Sequence, residues 1–339
     1  MIKIKTLDTK INNLIKLLNT KVISYPYIVV ISMHELFRNL YPHDPYIKTE
    51  KDNYKRIFQT VKNLEYFVKS ACLLGSYKNS LLNTKFDTQD LFGKLWVERL
   101  NKKKLDSSAV LEEMLNRSGF NLNSFKNKKI LDIGCGSGRF TIAFAKLGAK
   151  LSVGVDLGDE GLKIAKSIAK QNKIKNIRFY KSNVLKLPFK DNSFDFVFCK
   201  GVLHHTGQTY KGLGELKRVL KENSSAFIYL YGAGGIFWKT RKLMRSVMKK
   251  IPYDYTIKVL NLIGMPARRT IFVDSWYVPI EDHINQNILE KWFKKNKLDF
   301  RKYKNAKKTE LEYMEKKEMY FKEFFGNGEL RYVVKKLSK

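Results

Sequence analysis

The chain has 339 residues, 44% of them hydrophobic and 29% charged, and its 65 Lys and Arg against 32 Asp and Glu give a formal net charge of +33. That size suits one large globular domain or two modest ones, and without a run of 18 apolar residues no membrane-spanning helix is expected. The charge points toward nucleic acid or an anionic membrane, but lysine greatly outnumbers arginine, is spread along the whole chain and comes with abundant Ile and Asn; these types share A/T-rich codons, and phosphate sites more often use arginine forks, so a nucleic-acid partner is not expected.

Residues 1–120 read as a helical domain without a chemical motif. Ile11, Leu14, Leu17 and Leu18 mark one apolar face, with Lys16 and Lys21 off it. Tyr27 to Met33 is apolar but short and lacks a small-residue cleavage site, so no signal peptide is expected. Pro42 and Pro45 break the pattern. A second helical region runs from about Asp52 to Leu74, and Leu91 to Leu111 reads as a helix packing onto the next domain. Such a helical domain is suited to covering a pocket or pairing two subunits as a homodimer. The cysteines Cys72, Cys135 and Cys199 show neither metal spacing nor a disulfide framework, which favours a reducing, cytoplasmic setting.

From Lys129 strands and helices alternate. Apolar runs at 129–133, 151–155, 177–180, 194–199 and 226–231 predict strands, with helices at about 139–147, 159–171 and 209–220. Leu220 to Ala226, LKENSSA, reads as the turn into the fifth strand. The alternation predicts an α/β fold, a doubly wound and mostly parallel sheet covered on both faces. After Gly232 it stops, and 233–285 is rich in aromatics, glycine and arginine. A helix at about 286–296 leads into a sixth strand, LDFRKY. Gly326-Asn327-Gly328 then predicts a tight turn before an antiparallel closing strand, GELRYVVKK.

The run LDIGCGSGRF, Leu131 to Phe140, carries most of the chemistry. A strand carries an acid, Asp132, near its end, and Gly134, Gly136 and Gly138 follow at alternating positions. Glycines let a ligand approach the backbone closely. A dinucleotide turn would read G-x-G-x-x-G, but Arg139 stands in its third-glycine slot, and an acid before the first glycine suits a cationic group better than a pyrophosphate. LSVGVD ends in Asp156, 22 residues after Gly134, where an acid accepts from ribose hydroxyls. Ser182-Asn183-Val184 can place an amide beside an adenine edge.

Together with SNVLKLPF, NSFDFVFCKGVLHH and ELKRVLKENSSAFIYL, these motifs resemble those of class I S-adenosylmethionine-dependent methyltransferases of the small-molecule type, in order over about 129–232. The resemblance implies a Rossmann-like, seven-stranded sheet with its last strand antiparallel, and S-adenosylmethionine as cofactor. It places Gly134, Cys135 and Gly136 around the methionine part, Asp132 near the ammonium group, and Asp156 on the ribose. Leu157 would lie against the adenine, Asn183 and Val184 would flank it, and Lys200, Gly201 and Val202 would form the floor below the sulfonium. Two positions depart from the family: Asn183 replaces a common acid, and LKENSSA lacks the usual Pro-Gly-Gly turn. Cys135 and Cys199 read as small core residues.

The acceptor side is less sharply marked. His204 and His205 follow the fourth strand, where a base could act near neutral pH or the pair could simply cap and pack. The segment 233–285, read as an acceptor-pocket insert within a methyltransferase domain at 121–339, holds Tyr231, Trp238, Arg241, Arg245, Arg268, Arg269, Asp274, Trp276, Tyr277, Glu281 and His283 at or near its bounds. Arg241 and Arg245 at helical spacing read as a solvated basic face. DSWYVPIEDH, mixing charge and aromatics, is the better acceptor segment, so the catalytic candidates are His204, His205, Asp274, Tyr277 and His283. Adjacent Glu281, Asp282 and His283 are poorly spaced for a metal, and none is expected. The expected reaction is in-line methyl transfer to oxygen, sulfur or nitrogen of a small molecule. A lipid or quinone acceptor at a membrane surface is the first alternative, through peripheral contact by the lysine-dotted N-terminal segment. An RNA methyltransferase is the second, opposed by Cys199-Lys200-Gly201 in place of an Asn/Asp-Pro-Pro-aromatic run and by the lack of a Pro-Cys nucleophile.

Overall fold

The computed structural model describes residues 4–40, 50–72, 108–262, 275–302 and 323–338. The chain forms two compact units, Met1–Phe86 with Gly234–Val278 and Ala306–Gly326, and Asp87–Ala233 with Pro279–Asn305 and Asn327–Lys339. The segment 233–285 is thus divided: Gly234–Val278 folds with the N-terminal helices, and the residues after it with the sheet.

The second unit is built on seven strands: β1 (Lys129–Ile133), β2 (Leu151–Asp156), β3 (Ile177–Lys181), β4 (Phe194–Lys200), β5 (Leu220–Tyr231), β6 (Leu298–Lys302) and β7 (Glu329–Lys336). They lie in the order β3-β2-β1-β4-β5-β7-β6. The first five are parallel, and β7 runs antiparallel to both its neighbours. Order reverses between β1 and β4, the switch point of a doubly wound sheet. The predicted fold and closing strand are therefore observed.

Alternation along the strands makes two apolar faces. Leu131, Ile133, Val197, Cys199, Ile228 and Leu230 pack with Leu213 and Leu216 of α7 (Thr209–Val219) and Leu289 and Phe293 of α10 (Gln286–Lys295). Ile130, Phe196, Phe198, Phe227 and Tyr229 pack with Phe140 and Phe144 of α5 (Arg139–Lys146) and Leu111, Met114 and Leu115 of α4 (Ser108–Arg117). Burial of each large side chain stabilises the fold by about 1.5–3 kcal/mol. The remaining crossover helix, α6 (Asp159–Gln171), joins β2 to β3.

One boundary differs from the sequence reading. LKENSSA is the first half of β5, not a turn. Asn223 adopts φ 58°, and the β4–β5 register shifts between Phe194 and Phe196. The turn-forming residues are spent on a bulge inside the strand. The expected helix from Leu91 lies outside the described residues as far as 107.

The first unit is helical: α1 (Ile4–Lys21), α2 (Pro26–Leu40), α3 (Glu50–Ala71), α8 (Gly235–Met248) and α9 (Tyr253–Leu262). Leu7, Ile11, Leu14 and Leu18 of α1 are fully buried at the spacing of one helical stripe. In α2, Ile28 to Val30, Met33, Leu36 and Phe37 are all buried, as expected of a helix apolar on most sides. Phe37 meets Phe237 and Trp276 with ring centroids 6.3 Å away in each case. No described helix is long and apolar enough to cross a membrane.

Candidate functional site

The glycine run forms the turn between β1 and α5. Gly134, Gly136 and Gly138 all have left-handed φ, 68°, 53° and 74°. At Gly134 a side chain is excluded twice, because a Cβ there would also come within 2.3 Å of Val202 Cγ2. Gly134 and Cys135 N–H both donate to Val155 O, at 2.8 and 3.0 Å, so the turn is fastened to β2. Gly134 is partly exposed, and Gly136 and Gly138 are buried.

Two carboxylates flank the turn. Asp132 is 3% exposed and accepts from Thr141 Oγ1 at 2.6 Å. Burial pushes its carboxyl up to about 7, against the lowering effect of the Thr141 hydrogen bond. Asp156 Oδ2 accepts from Gly136 N–H at 2.8 Å and Oδ1 from Gly158 N–H at 2.8 Å; burial raises this carboxyl too. Leu157 N–H acts on this carboxyl as well, so about one of the four lone-pair sites of a carboxylate remains for a ligand hydroxyl. Ser137 Oγ, buried in the same turn, has no hydrogen-bond partner among the described residues. An orphaned hydroxyl and a buried acid at a turn whose Gly134 is partly exposed together fit a polar, cation-bearing ligand.

The rest of the predicted donor side lies along the same carboxyl edge. Leu157 follows β2 and is 42% exposed, unusual for a leucine at a strand end. Ser182 N–H donates to Asp156 O at 2.9 Å. Asn183 Oδ1 accepts from Leu185 N–H at 2.9 Å, an Asx turn that presents the amide NH2 outward. Val184 is buried. Lys200 Nζ lies 5.6 Å from the Phe140 ring and 5.7 Å from that of Tyr229. Gly201, at φ 75°, starts the turn in which Val202 meets Gly134. Cys135 and Cys199 are buried thiols, both pushed up by burial.

On the acceptor side the histidines differ in environment. His204 is fully buried and stacks on Tyr231 at 3.8 Å. His205 Nδ1–H donates to Ile280 O at 2.9 Å, which fixes its tautomer. His283 Nε2 meets Glu281 Oε1 at 2.8 Å, and these side chains are 21% and 3% exposed. Glu281 was not among the predicted catalytic residues; the i,i+2 spacing was the available signal, usable only once the segment is known to be extended. Tyr277 belongs to the helical unit, where its hydroxyl donates to Ile251 O at 2.8 Å and lies 2.6 Å from Thr256 Oγ1. Arg241 and Arg245 are buried, not solvated. The Arg241 guanidinium lies 5.4 Å from the Trp238 ring, and Arg245 donates to Ser275 O and Val278 O. Arg268, Arg269 and Asp274 lie outside the described residues.

A sheet of this order, with a glycine turn between two acids at its switch point, defines a Rossmann-like donor-binding domain. Residues 124–263 match the family model described as a methyltransferase domain. The chain is 36% identical over 95 residues to an uncharacterized methyltransferase, YcgJ, of Bacillus subtilis, covering 28% of this chain and 37% of that one. It is 35% identical over 102 residues to a demethylmenaquinone methyltransferase of Geobacillus stearothermophilus, covering 30% and 44%. The structure of PKMT2 from Rickettsia typhi with S-adenosylhomocysteine superposes with a TM-score of 0.48 at 19% identity, covering 68% of this chain and 53% of that one. The chain thus spans less than half the length of either curated relative. Residues 124–263 thus form a methyltransferase domain by their family match, on a sheet of the class I Rossmann-like order.

Proposed function

We propose that the chain as a whole is an enzyme that moves the methyl group of S-adenosylmethionine to a small-molecule acceptor. The observation that carries this reading is the pairing of Asp132 and Asp156 across the glycine turn, with Gly136 N–H bonded to Asp156. Asp132 and the turn around Gly134, Cys135 and Gly136 would hold the methionine part. Asp156 would hold the ribose, Leu157, Asn183 and Val184 the adenine, and Lys200 and Gly201 the floor. The sulfonium supplies an already activated methyl group, so alignment is the main task of these residues, and alignment can lower a barrier by about 7–11 kcal/mol.

The relative named for demethylmenaquinone favours the quinone alternative, whereas Cys199-Lys200-Gly201 after β4 favours a small acceptor over RNA. The apolar stripe of α1 is buried within its own unit, so that stripe is not the surface a lipid would meet. Three free cysteines fit a cytoplasmic setting. The test is calorimetric titration with S-adenosylmethionine. Binding to the wild-type chain and its loss in Asp156→Ala are expected; undiminished binding in the variant refutes the assignment.

A further inference from the structure

The segment Pro279–Ile284 is docked at the carboxyl end of the sheet. Asp282 N–H donates to His204 O at 2.7 Å, Ile284 N–H to Tyr231 O at 2.9 Å, and Ala233 N–H to Ile284 O at 2.9 Å. Thr209 Oγ1 adds a bond of 2.8 Å to Asp282 Oδ2. β7 occupies one side of β5 as far as the Tyr231–Glu329 pair, and Gly232 N–H continues to Gly328 O on that side. On the other side β4 ends at the pair Lys200–Tyr229, and beyond it Gly232 pairs in parallel with Ile284. The segment therefore continues the track that β4 leaves.

Alternation then assigns its side chains to faces. Ile284 packs with Ile228 and Leu230, so Glu281 and His283 belong to the opposite face, that of Tyr229 and Phe198. Asp132, two residues from Ile130, is on this face as well. Asp132 is level with Phe198 and His283 with Tyr231, about four residues further along, or roughly 13 Å at about 3.3 Å per residue. One face of the sheet edge thus runs from the carboxylate assigned to the donor's ammonium group to an imidazole beyond the floor residues Lys200 and Gly201.

His283 is partly exposed and held at 2.8 Å by a carboxylate that is almost sealed from water. Such a carboxylate orients an imidazole. His204 and His205 are committed differently, one stacked under Tyr231 and one tied to Ile280. We propose that His283 is the catalytic base for the acceptor, that Glu281 is its positioning residue, and that the acceptor is a hydroxyl-bearing small molecule of the phenol or enol class. A base is needed most where the attacking atom carries a proton of high pKa. As the acceptor oxygen forms its bond to the methyl carbon, its proton passes to His283. The S–CH3 bond breaks with its electron pair left on sulfur, giving the methyl ether, S-adenosylhomocysteine and an imidazolium facing Glu281.

This rests on the methyl-transfer reading, and the two can fail separately. The full chain is labelled in its histidine rings and followed by NMR, with S-adenosylmethionine and S-adenosylhomocysteine as the two probes. Its five histidines make His283 assignable from His283→Gln. The expected result is that the sulfonium moves the His283 ring signal more than the neutral product does, because only the sulfonium brings a positive charge near it. An equal or absent response to both probes, with both bound, overturns the proposal; failure of the wild-type chain to bind either probe overturns the methyl-transfer reading instead. In assays with a mixed panel of phenols and thiols, His283→Gln is expected to lower kcat toward phenols by about 100-fold or more while its donor affinity stays within about twofold. Glu281→Gln should lower kcat less, with KM unchanged. Equal kcat in His283→Gln and wild type toward a phenol refutes the base.

Discussion

At the scale of single residues, the buried acid of β1 has a measurable consequence. The folded chain holds the Asp132 proton up to about pH 7, whereas an unfolded chain releases it near the ordinary carboxylate value of about 3.9. Between those values the folded state binds more protons, so this residue's contribution to stability falls as pH rises from about 4 to about 7 and is constant above. Asp156 reinforces the upward shift and Arg139 opposes it. A cation placed beside Asp132 requires the ionised form. Donor affinity is therefore expected to rise by up to about tenfold per pH unit below pH 7 and to level off above it. Calorimetry at pH 6 in buffers of different ionisation enthalpy should show close to one proton released per donor bound, and Asp132→Asn should abolish that release. Asp132, Asp156 and the glycines were legible in the sequence because their relation is local: a strand end, a turn, the next strand end. The Glu281–His283 pair was half legible. His283 was a candidate on its own, but its partner depends on an extended conformation that no nearby periodicity announces.

At the scale of elements, the turns after β1 and β4 lock together through Gly134 and Val202. Gly134→Ala must place a Cβ at φ 68° and within 2.3 Å of Val202 Cγ2. The left-handed backbone costs about 1–2 kcal/mol and overpacking against a stiff β-branched side chain about 1–3 kcal/mol more. Urea denaturation should show a loss of about 2–5 kcal/mol, and adding Val202→Ala should recover the overpacking part only. A double variant no more stable than the single one would show that Val202 is not the obstacle. The strands were predicted almost residue by residue, β1, β2 and β4 because each is a short, buried apolar run. β5 was the exception. Its first half carries Glu222, Asn223 and Ser224, which read as a turn, and pairing across a bulge overrode that local preference.

At the scale of the whole molecule, the helical unit draws on three separate stretches of chain. That was not legible, since α8 meets α1 and α2 only after more than 190 intervening residues, and periodicity reports which face is apolar without saying what covers it. Removing Met1–Phe86 should leave Phe237, Met244 and Val247 of α8 without their cover. Size-exclusion chromatography is expected to show aggregation of the truncated chain, and a monodisperse product with an unchanged melting temperature would contradict the shared core. The strand order has a further consequence for how the molecule is made. Among the described strands β7 comes last in the sequence yet sits between β5 and β6 in the sheet, and β6 pairs with β7 and no other described strand. As the chain leaves the ribosome, β6 has no edge to join, and the exposed edge of β5 waits until the closing strand emerges. The nascent protein therefore carries open sheet edges until β7 has been made, a condition in which growing chains are prone to aggregate.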